Sequence, residues 1–530
     1  MNWIRPAIAG TGVLVAMIVT SIFMDDLKMG MMFVVGAVVV GTMPFQLKLS
    51  TAIALCTSNA AFILPGFPGN PMLWEAAAMG CWSGVIFSFL MREIDKVGLK
   101  ECPASAKFIF FGCATYCATL LFLMKSQGVG FNIMGSGMYG GRFYFAQLTC
   151  AIFPLAFLLV PMKGSTFVAF VRLGCVFSLT FILSDIAFFS GSRWGNIVLI
   201  FLHPPGDAGN FLDEFERTGL MRLQSLGAVA MNVTVLILTY INPRRLLSPA
   251  GVPFCIIIGL LTALSLVSGH RLSLVNLALM VIIMIIAYRA LNVGSILIAG
   301  AGLAAFLCYV YMFTSSMPLS AQRAVSFLPG IEIDRVAIDS SQGTLDTRRQ
   351  LREIGWKMMP RYFWEGRGFG FDSSSMNFSR MSQIDPETAT IQMHLVLGRF
   401  YNGFIGLMVT TGIPGTLSIF IIVGAGIILA ISILRRVARS KTDTALERTA
   451  ALGAACFLAS VIIFFGLHGD AEYALKGFGL STGILILANK LLNTQYAREL
   501  LVEDSPSLAI QPDFPAPLRG RPYIPLRGIR

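Results

Sequence analysis

Apolar segments long enough to cross a membrane recur along the whole chain. A helix needs about 20 mostly apolar residues to span about 30 Å of hydrocarbon, and such windows run from near the N-terminus to about residue 492. They are continuously apolar and do not alternate as barrel strands do, which indicates helices. Only 13% of the residues are charged and 55% are hydrophobic, which excludes an ordinary soluble domain. The sequence therefore predicts an all-α, polytopic transmembrane helix bundle.

The apolar windows delimit about fourteen candidate spans, so about 12 to 14 membrane helices are expected. The first window lacks a small-residue cleavage site and is followed by many further spans, so it is interpreted as a helix rather than a signal peptide. The candidate spans lie near residues 5–23, 29–46, 50–65, 71–91, 106–124, 143–161, 166–188, 220–241, 250–269, 272–290, 294–314, 402–433, 447–467 and 473–492.

The polar stretches divide the chain into four parts. Residues 1–314 and 401–492 are predicted to be transmembrane helices, separated by a large loop at 315–400. The remainder, 493–530, is rich in Pro and Arg and is expected to be a disordered tail. The loop is too short for a domain of ordinary size, so we expect it to pack on the helix bundle.

Lys and Arg are concentrated in the short connections at 91–107, 242–249 and 434–448. The positive-inside rule places such connections in the cytoplasm, and the span count then puts both termini there as well. This topology accounts for most of the formal charge of +12, so no nucleic-acid partner is predicted. The segments expected on the opposite side are 125–142, 189–219, 268–271 and 315–400.

The ten cysteines are scattered singly, almost all inside apolar windows. No disulfide framework or zinc-ligand spacing is present. Neither disulfides nor a zinc site held by cysteines is therefore expected.

The centre of the large loop, residues 346–371, is predicted to be an amphipathic segment with several arginines and two tryptophans, followed by a Gly-rich turn. Such a helix can lie in the membrane interface. Its arginines include Arg348 and Arg349, and acidic neighbours leave the loop nearly balanced in charge. Taken alone, these arginines are better explained by a solvated face, or by one that binds lipid headgroups, than by a functional role.

Two further polar features lie on the predicted external side. Arg271 stands at a helix boundary in SGHRLS (268–273), where it either snorkels to the interface or holds a phosphate oxygen with its guanidinium. His394 and Tyr401 precede the apolar run at 402–433. They would share one face if the helix continued through residue 394, and an imidazole there could act as a general base.

Three motifs carry a resemblance that covers residues 260–420. An external turn supplies Arg271, and Arg348 is followed by an amphipathic stretch and a turn containing Gly366, Gly368 and Gly370. The stretch YNGFIGLMVTTGIPG then supplies Asn402 and two further glycines. Their order and sidedness resemble the O-antigen ligase and polymerase family of bacterial envelope glycosyltransferases.

The resemblance has one departure. The family has a histidine directly before the asparagine, where this chain has Tyr401. The role of the base then falls to His394, to Tyr401 or to another group, or the activity of this member is altered. His394 is favoured by the shared helix face.

The resemblance implies transfer of a glycan from a polyprenyl diphosphate donor to an acceptor hydroxyl, at the periplasmic face of the bacterial inner membrane and without metal or nucleotide. Arg271 and Arg348 would hold the diphosphate, with Arg349 and Arg399 as further candidates, while His468 and the motif residues would support the site. The acceptor would be a lipid A core, another glycan repeat or a protein, and the sequence does not decide among the three.

Two other classes of protein remain as alternatives. A transporter or lipid-linked oligosaccharide flippase predicts internal repeats and ionisable residues near the bilayer midplane. No convincing repeat is found, although Asp185 lies in or at the end of an apolar span. A structural assembly protein would tolerate replacement of the external arginines and histidines.

Overall fold

The computed structural model describes Thr42 and residues 45–65, 70–90, 102–129, 138–203, 223–246, 249–290, 293–372, 386–440 and 442–503. The predicted span at 5–23 and nearly all of that at 29–46 lie outside these residues. So do residues 91–101 of the first basic connection and the tail beyond residue 503.

The N-terminal part of the described chain is a series of helices. Its one strand, β1 (Met138–Tyr139), precedes α4. The helices are α1 (Gln46–Thr57), α2 (Leu73–Leu90), α3 (Ala104–Gln127), α4 (Gly141–Cys150), α5 (Phe153–Leu159), α6 (Gly164–Phe177), α7 (Thr180–Ser190), α8 (Arg193–Leu199), α9 (Gln224–Tyr240), α10 (Pro243–Leu246), α11 (Val252–Val267), α12 (Arg271–Ala287) and α13 (Val293–Phe313).

The C-terminal part holds the large loop and the longest helices. A second strand, β2 (Phe371–Asp372), pairs antiparallel with β1. The helices are α14 (Leu319–Val325), α15 (Arg335–Tyr362), α16 (Pro386–Leu397), α17 (Gly403–Arg439), α18 (Ala445–Ile462), which continues as a π-helical turn to Leu467, and α19 (Ala474–Glu503).

Seven segments among the described residues are long and apolar enough to cross a membrane, and four shorter apolar helices accompany them. The predicted all-α, polytopic membrane bundle is thereby confirmed. The seven segments are Leu73–Leu90, Ala104–Gln127, Gly141–Leu159, Gly164–Ser190, Gly403–Arg439, Ala445–Leu467 and Ala471–Ala497.

Helix α17 lies at the centre of the bundle, where it packs along α3 and also contacts α18 and α19. The approach to α3 is close because Gly112 has no side chain. A Cβ atom there would lie 2.7 Å from Cγ1 of Ile422 and 3.0 Å from the Ser418 carbonyl oxygen. This packing fixes the position of α17 and therefore of its N-terminal end at Gly403, which directly follows the polar stretch of the sequence.

Two of the basic connections lie at the same end of the bundle. Arg172 and Arg448 both donate to the Thr239 carbonyl oxygen, at 3.0 and 3.1 Å, and Arg244 donates to that of Tyr288 at 2.8 Å. These bonds tie the start of α18 to the end of α9, and the connection after α9 to the end of α12. The N-terminal end of α17 lies at the opposite end of the bundle.

Helix α17 is broken at Gly412, which has φ +64° and ψ −168°. The loop after α15 fills the break. The amide of Ile413 donates to the Phe363 carbonyl oxygen, and the amides of Arg367 and Gly368 donate to the carbonyl oxygens of Val409 and Thr410, each at 2.8 Å. The glycine turn predicted from sequence, residues 366–370, therefore docks by its backbone into a gap in a membrane helix.

Gly412→Ala is expected to destabilise the protein by about 3 kcal/mol, because that backbone conformation is nearly restricted to glycine. A Cβ atom there would also lie 2.7 Å from the Trp364 carbonyl oxygen and 2.9 Å from the Gly366 amide nitrogen. The measurement is the midpoint of thermal unfolding in detergent. The matched control is Gly424→Ala on the same helix, where an added Cβ meets no atom within 4 Å. Equal midpoints for the two variants would contradict the prediction.

Candidate active site

The residues predicted to carry the chemistry lie at the end of the bundle where α12 and α17 begin. Helix α15 packs against both α14 and α17 there, and the connection between α18 and α19 closes the remaining side. The predicted amphipathic helix is α15, which buries Leu351, Gly355 and Met359. Its polar side is free to line the site.

Arg271 is the first residue of α12. Its Nε and Nη2 donate to the Arg323 carbonyl oxygen at 3.3 and 2.8 Å, and Nη2 also donates to the hydroxyls of Ser326 and Ser341. All these partners are neutral, and within the described segments Arg271 forms no ion pair. Its charge is also repelled by that of Arg348. A half-buried cation in these surroundings attracts an anion.

Arg323 was not singled out from the sequence, and the structure places it directly behind Arg271. Its side chain is only 7% exposed, and it donates to the Gly269 carbonyl oxygen at 2.8 Å and to Oγ1 of Thr344 at 2.9 Å. These bonds connect the turn before α12 to α15. Nothing in the short helix α14 marked this arginine, because its neighbours come from distant parts of the chain.

The arginines of α15 divide between its two sides. Arg348 faces the site, with Cζ 5.0 Å from the centroid of the Tyr401 ring. The side chain of Arg349 is 80% exposed and pairs with Glu353 at 3.1 Å. The structure therefore brings Arg348, but not Arg349, to the other predicted site residues.

Tyr401 lies between two helices rather than within one. Helix α16 ends at Leu397 and α17 begins at Gly403, so the continuous helix expected through His394 is wrong. Tyr401 instead has a left-handed φ of +51°, and its amide donates to Oδ1 of Asp470 at 3.2 Å. This turn brings its hydroxyl to 3.2 Å from Nε2 and 3.5 Å from Nδ1 of His394.

The ring of Tyr401 is the centre of a tyrosine cluster formed by His394, Tyr401, His468 and Arg348. The His394 ring meets it edge-on with centroids 5.2 Å apart, and the His468 ring stacks on it at 4.9 Å. A phenol, two imidazoles and a guanidinium thus share one small volume. The cluster offers groups that can accept a proton beside a cation that can hold an anion.

Arg399 and Asn402 lie beside the cluster in supporting positions. Arg399 pairs with Glu472, a buried carboxylate, at 3.0 Å, so its charge is already compensated. Asn402 caps α17, since its Oδ1 accepts from the Ile405 amide at 3.0 Å. Its Nδ2 donates to the Phe465 carbonyl oxygen at 3.2 Å, which connects α17 to the end of α18.

The glycine turn supports the site from a distance. Gly366 and Gly368 dock on α17, and Gly370 lies beside Gly140 at the start of α4. Within this turn Arg367 donates to the carbonyl oxygens of Leu395 and Val396 at 2.6 and 2.8 Å. The turn therefore positions the end of α16, which carries His394.

Burial and charge shift the pKa values of two groups between α18 and α19. Burial lowers the pKa of His468 to about 4, with the charges of Arg348, Arg352 and Arg399 acting in the same direction. Burial also raises the pKa of Asp470 to about 6, helped by Glu472. At neutral pH His468 is therefore neutral and Asp470 is ionised.

Asp470→Asn and His468→Gln are expected to give opposite dependences of stability on pH between about 4 and 6. His468 binds fewer protons folded than unfolded below its ordinary pKa of 6.5, so its contribution falls as the pH falls. Asp470 binds more protons folded than unfolded above its ordinary pKa of 3.8, so its contribution rises as the pH falls. The two effects oppose each other in the wild type.

Each variant removes one of these two effects and keeps the other. Asp470→Asn should lose stability relative to wild type on acidification, and His468→Gln should gain it, by at most about 1.4 kcal/mol per pH unit. The measurement is the thermal midpoint in detergent at pH 4.5, 5.5 and 6.5. If the thermal midpoints of the two variants changed with pH in the same way, the opposite pKa shifts assigned to His468 and Asp470 would be contradicted.

In the segments that the structure describes, no group of three or more His, Cys, Asp or Glu side chains is placed to hold a metal ion. The charged groups at the site are instead the guanidinium groups and the carboxylates described above.

The site contains a compensated pair, Arg399 and Glu472, together with Arg271, whose partners among the described residues are neutral. No protein-family profile and no curated protein sequence matches this chain.

Proposed function

We propose that the protein is a glycosyltransferase that joins a polyprenyl-diphosphate-linked glycan to an acceptor hydroxyl. The observation that supports this most is the position of Arg271 and Arg348, on the same side of the molecule as the His394–Tyr401 pair. Two cations and a proton acceptor at the end of a membrane bundle suit a donor whose diphosphate lies at the membrane surface and whose tail lies in the lipid.

The two arginines hold the diphosphate and stabilise the charge that develops on it as it leaves. A guanidinium carries a permanent charge and several N–H donors that suit phosphate oxygens, and in Arg271 the donors that face the substrate are those of Nη1, because Nε and Nη2 bond within the protein. Donors already aimed at a developing charge lower the barrier because they need not reorganise. Arg271 is held by Arg323, Ser326 and Ser341, so its direction is set before the donor binds. In this proposal the reaction requires no metal.

The base acts on the acceptor. A bond forms between the acceptor oxygen and the anomeric carbon, the bond from that carbon to the diphosphate breaks, and polyprenyl diphosphate leaves with the electron pair. The acceptor proton ends on His394, either directly or through Tyr401, whose hydroxyl lies 3.2 Å from the imidazole. Neutral His468 stacks on Tyr401 and keeps a further positive charge away from the base.

The same proposal includes an orientation. The basic connections at the opposite end of the bundle are placed in the cytoplasm by the positive-inside rule, so the site faces the periplasm of a bacterial inner membrane and both termini are cytoplasmic. The acceptor is a lipid A core in a ligase, a second glycan repeat in a polymerase, or a protein in a glycosylase. We place the ligase first.

The test uses purified protein in nanodiscs with a radiolabelled polyprenyl diphosphate glycan and no added metal. Lipid A core, a glycan repeat and an unfolded protein are offered as acceptors in separate reactions. We expect label to move to one acceptor together with release of polyprenyl diphosphate, also in the presence of EDTA. Failure with every acceptor, while variants of Arg271 and His394 still restore envelope polysaccharide in cells, would overturn the proposal.

A flippase is the second candidate, and one observation favours it. Asp185 lies inside the apolar segment Gly164–Ser190 with only 5% of its surface exposed, and it accepts a hydrogen bond from the Ser225 hydroxyl. Ionisable residues inside membranes often mark transport paths. Movement of a fluorescent lipid-linked glycan between leaflets of a proteoliposome, lost in Asp185→Asn, would support this alternative.

A further inference from the structure

Helix α15 carries one continuous polar face that is longer than a diphosphate requires. Ser341, Thr344, Arg348 and Arg352 recur at spacings of three and four residues, so they lie along one side of the helix. The rise of an α-helix separates Ser341 from Arg352 by about 16 Å. Ser341 contacts Arg271 at one end, and Nη2 of Arg352 lies 3.4 Å from the Leu467 carbonyl oxygen at the other.

The cation at the far end of this face has no carboxylate partner among the described residues. The nearby carboxylates are engaged elsewhere, since Glu472 pairs with Arg399, Glu353 pairs with Arg349, and Asp470 accepts from the Tyr401 amide. The Nε of Arg352 is buried without a hydrogen-bond acceptor in the same part of the chain. Because no carboxylate compensates it, the guanidinium of Arg352 favours a ligand that carries negative charge.

The position of Arg352 indicates which substrate would reach it. It lies one helical turn beyond Arg348 and beside His468, on the side of the tyrosine cluster away from Arg271. A diphosphate bound to Arg271 lies near Ser341, and the rise of the helix separates Ser341 from Arg352 by about 16 Å, which is more than the length of a diphosphate. A negative group that meets Arg352 must therefore belong to another part of the bound substrates, next to the attacking hydroxyl.

We propose that Arg352 binds an anionic group, a phosphate or a carboxylate, carried by the acceptor. This inference rests on the proposed glycosyltransferase function and adds the chemical class of the acceptor. Arg352 is a specificity residue, since it orients the acceptor without contacting the reacting atoms. Phosphate on a lipid A core and carboxylate on a uronic acid of a glycan repeat share the required chemistry.

The experiment compares Arg352→Gln with wild type on two matched pairs of acceptors. The first pair is lipid A core with its phosphate groups and the same molecule after phosphatase treatment. The second is a glucuronate-containing glycan repeat and its carboxyl-reduced form. We expect Arg352→Gln to raise KM about tenfold to a hundredfold for the charged member of one pair, with kcat and the KM of the neutral member unchanged.

The matched control is Arg349→Gln, which removes an exposed arginine from the next position of the same helix and should leave all four KM values unchanged. The pair that responds identifies whether the group is phosphate or carboxylate. Equal effects of Arg352→Gln on charged and neutral acceptors, or no preference of the wild type for either charged form, would overturn the proposal.

A binding measurement separates this inference from the proposed reaction. Radiolabelled acceptors of both pairs are equilibrated with protein in nanodiscs without any donor. Retention of a charged acceptor by wild type but not by Arg352→Gln would support the anion site even if no transfer occurred. Equal retention by both proteins would overturn it even if transfer occurred.

Discussion

Arg271→Gln is expected to lower the rate of glycan transfer by at least about a hundredfold, because it removes a preorganised positive charge from the leaving diphosphate. Glutamine can still donate hydrogen bonds to neutral partners such as the Arg323 carbonyl oxygen, so the surrounding structure should persist. Arg271→Lys restores the charge but not the forked geometry and should recover only part of the rate. The measurement is release of polyprenyl diphosphate in single-turnover reactions with saturating acceptor.

The control for this prediction is Arg349→Gln. It also removes one arginine, but from a side chain that is 80% exposed and paired with Glu353, and it should transfer at the wild-type rate. The thermal midpoint of each variant shows whether it remains folded. A folded Arg271→Gln protein that transfers as fast as the wild type would rule out the role assigned to this cation.

His394→Ala is expected to lower transfer by about 10² to 10⁴ through loss of the general base. Tyr401→Phe should cost less than tenfold, because the phenyl ring can still stack on His468 and lie under Arg348 while only the hydroxyl is lost. Added imidazole should restore part of the activity of His394→Ala and none of that of Arg271→Gln. Donor binding should be unaffected in both cluster variants.

The opposite result would assign the proton transfer differently. If Tyr401→Phe loses as much activity as His394→Ala, and the double variant loses no more than either, the hydroxyl and the imidazole act as one unit. If His394→Ala transfers at the wild-type rate, His394 is not the base. Because the Tyr401 hydroxyl lies within hydrogen-bond reach of His394, these outcomes can be separated only by comparing His394→Ala, Tyr401→Phe and the double variant.

The membrane helices could be predicted because each reflects a local property of the chain. The predicted span at 106–124 lies inside Ala104–Gln127, and that at 447–467 nearly coincides with Ala445–Leu467. Hydrocarbon requires a continuous apolar segment of fixed length whose backbone groups bond within the helix. The amphipathic helix in the large loop could be predicted from its periodicity for the same reason.

The candidate site could be predicted only in part. Arg348, His394 and Tyr401 were singled out and do lie together, but the helical face expected to join His394 to Tyr401 does not exist. Their contact comes from the left-handed turn at Tyr401, which Asp470 holds from another helix connection. Pairing across such distances has no signature in the spacing of residues.

By itself, the sequence determined a polytopic helical membrane protein and the residue types available at its polar end, because hydrophobic length and charge are properties of single segments. Only the tertiary structure decided that Arg323 holds Arg271, that the glycine turn closes the break at Gly412, and that Arg349 points away from the site. These relations depend on which backbone groups and charges meet after helices far apart in the chain have packed together.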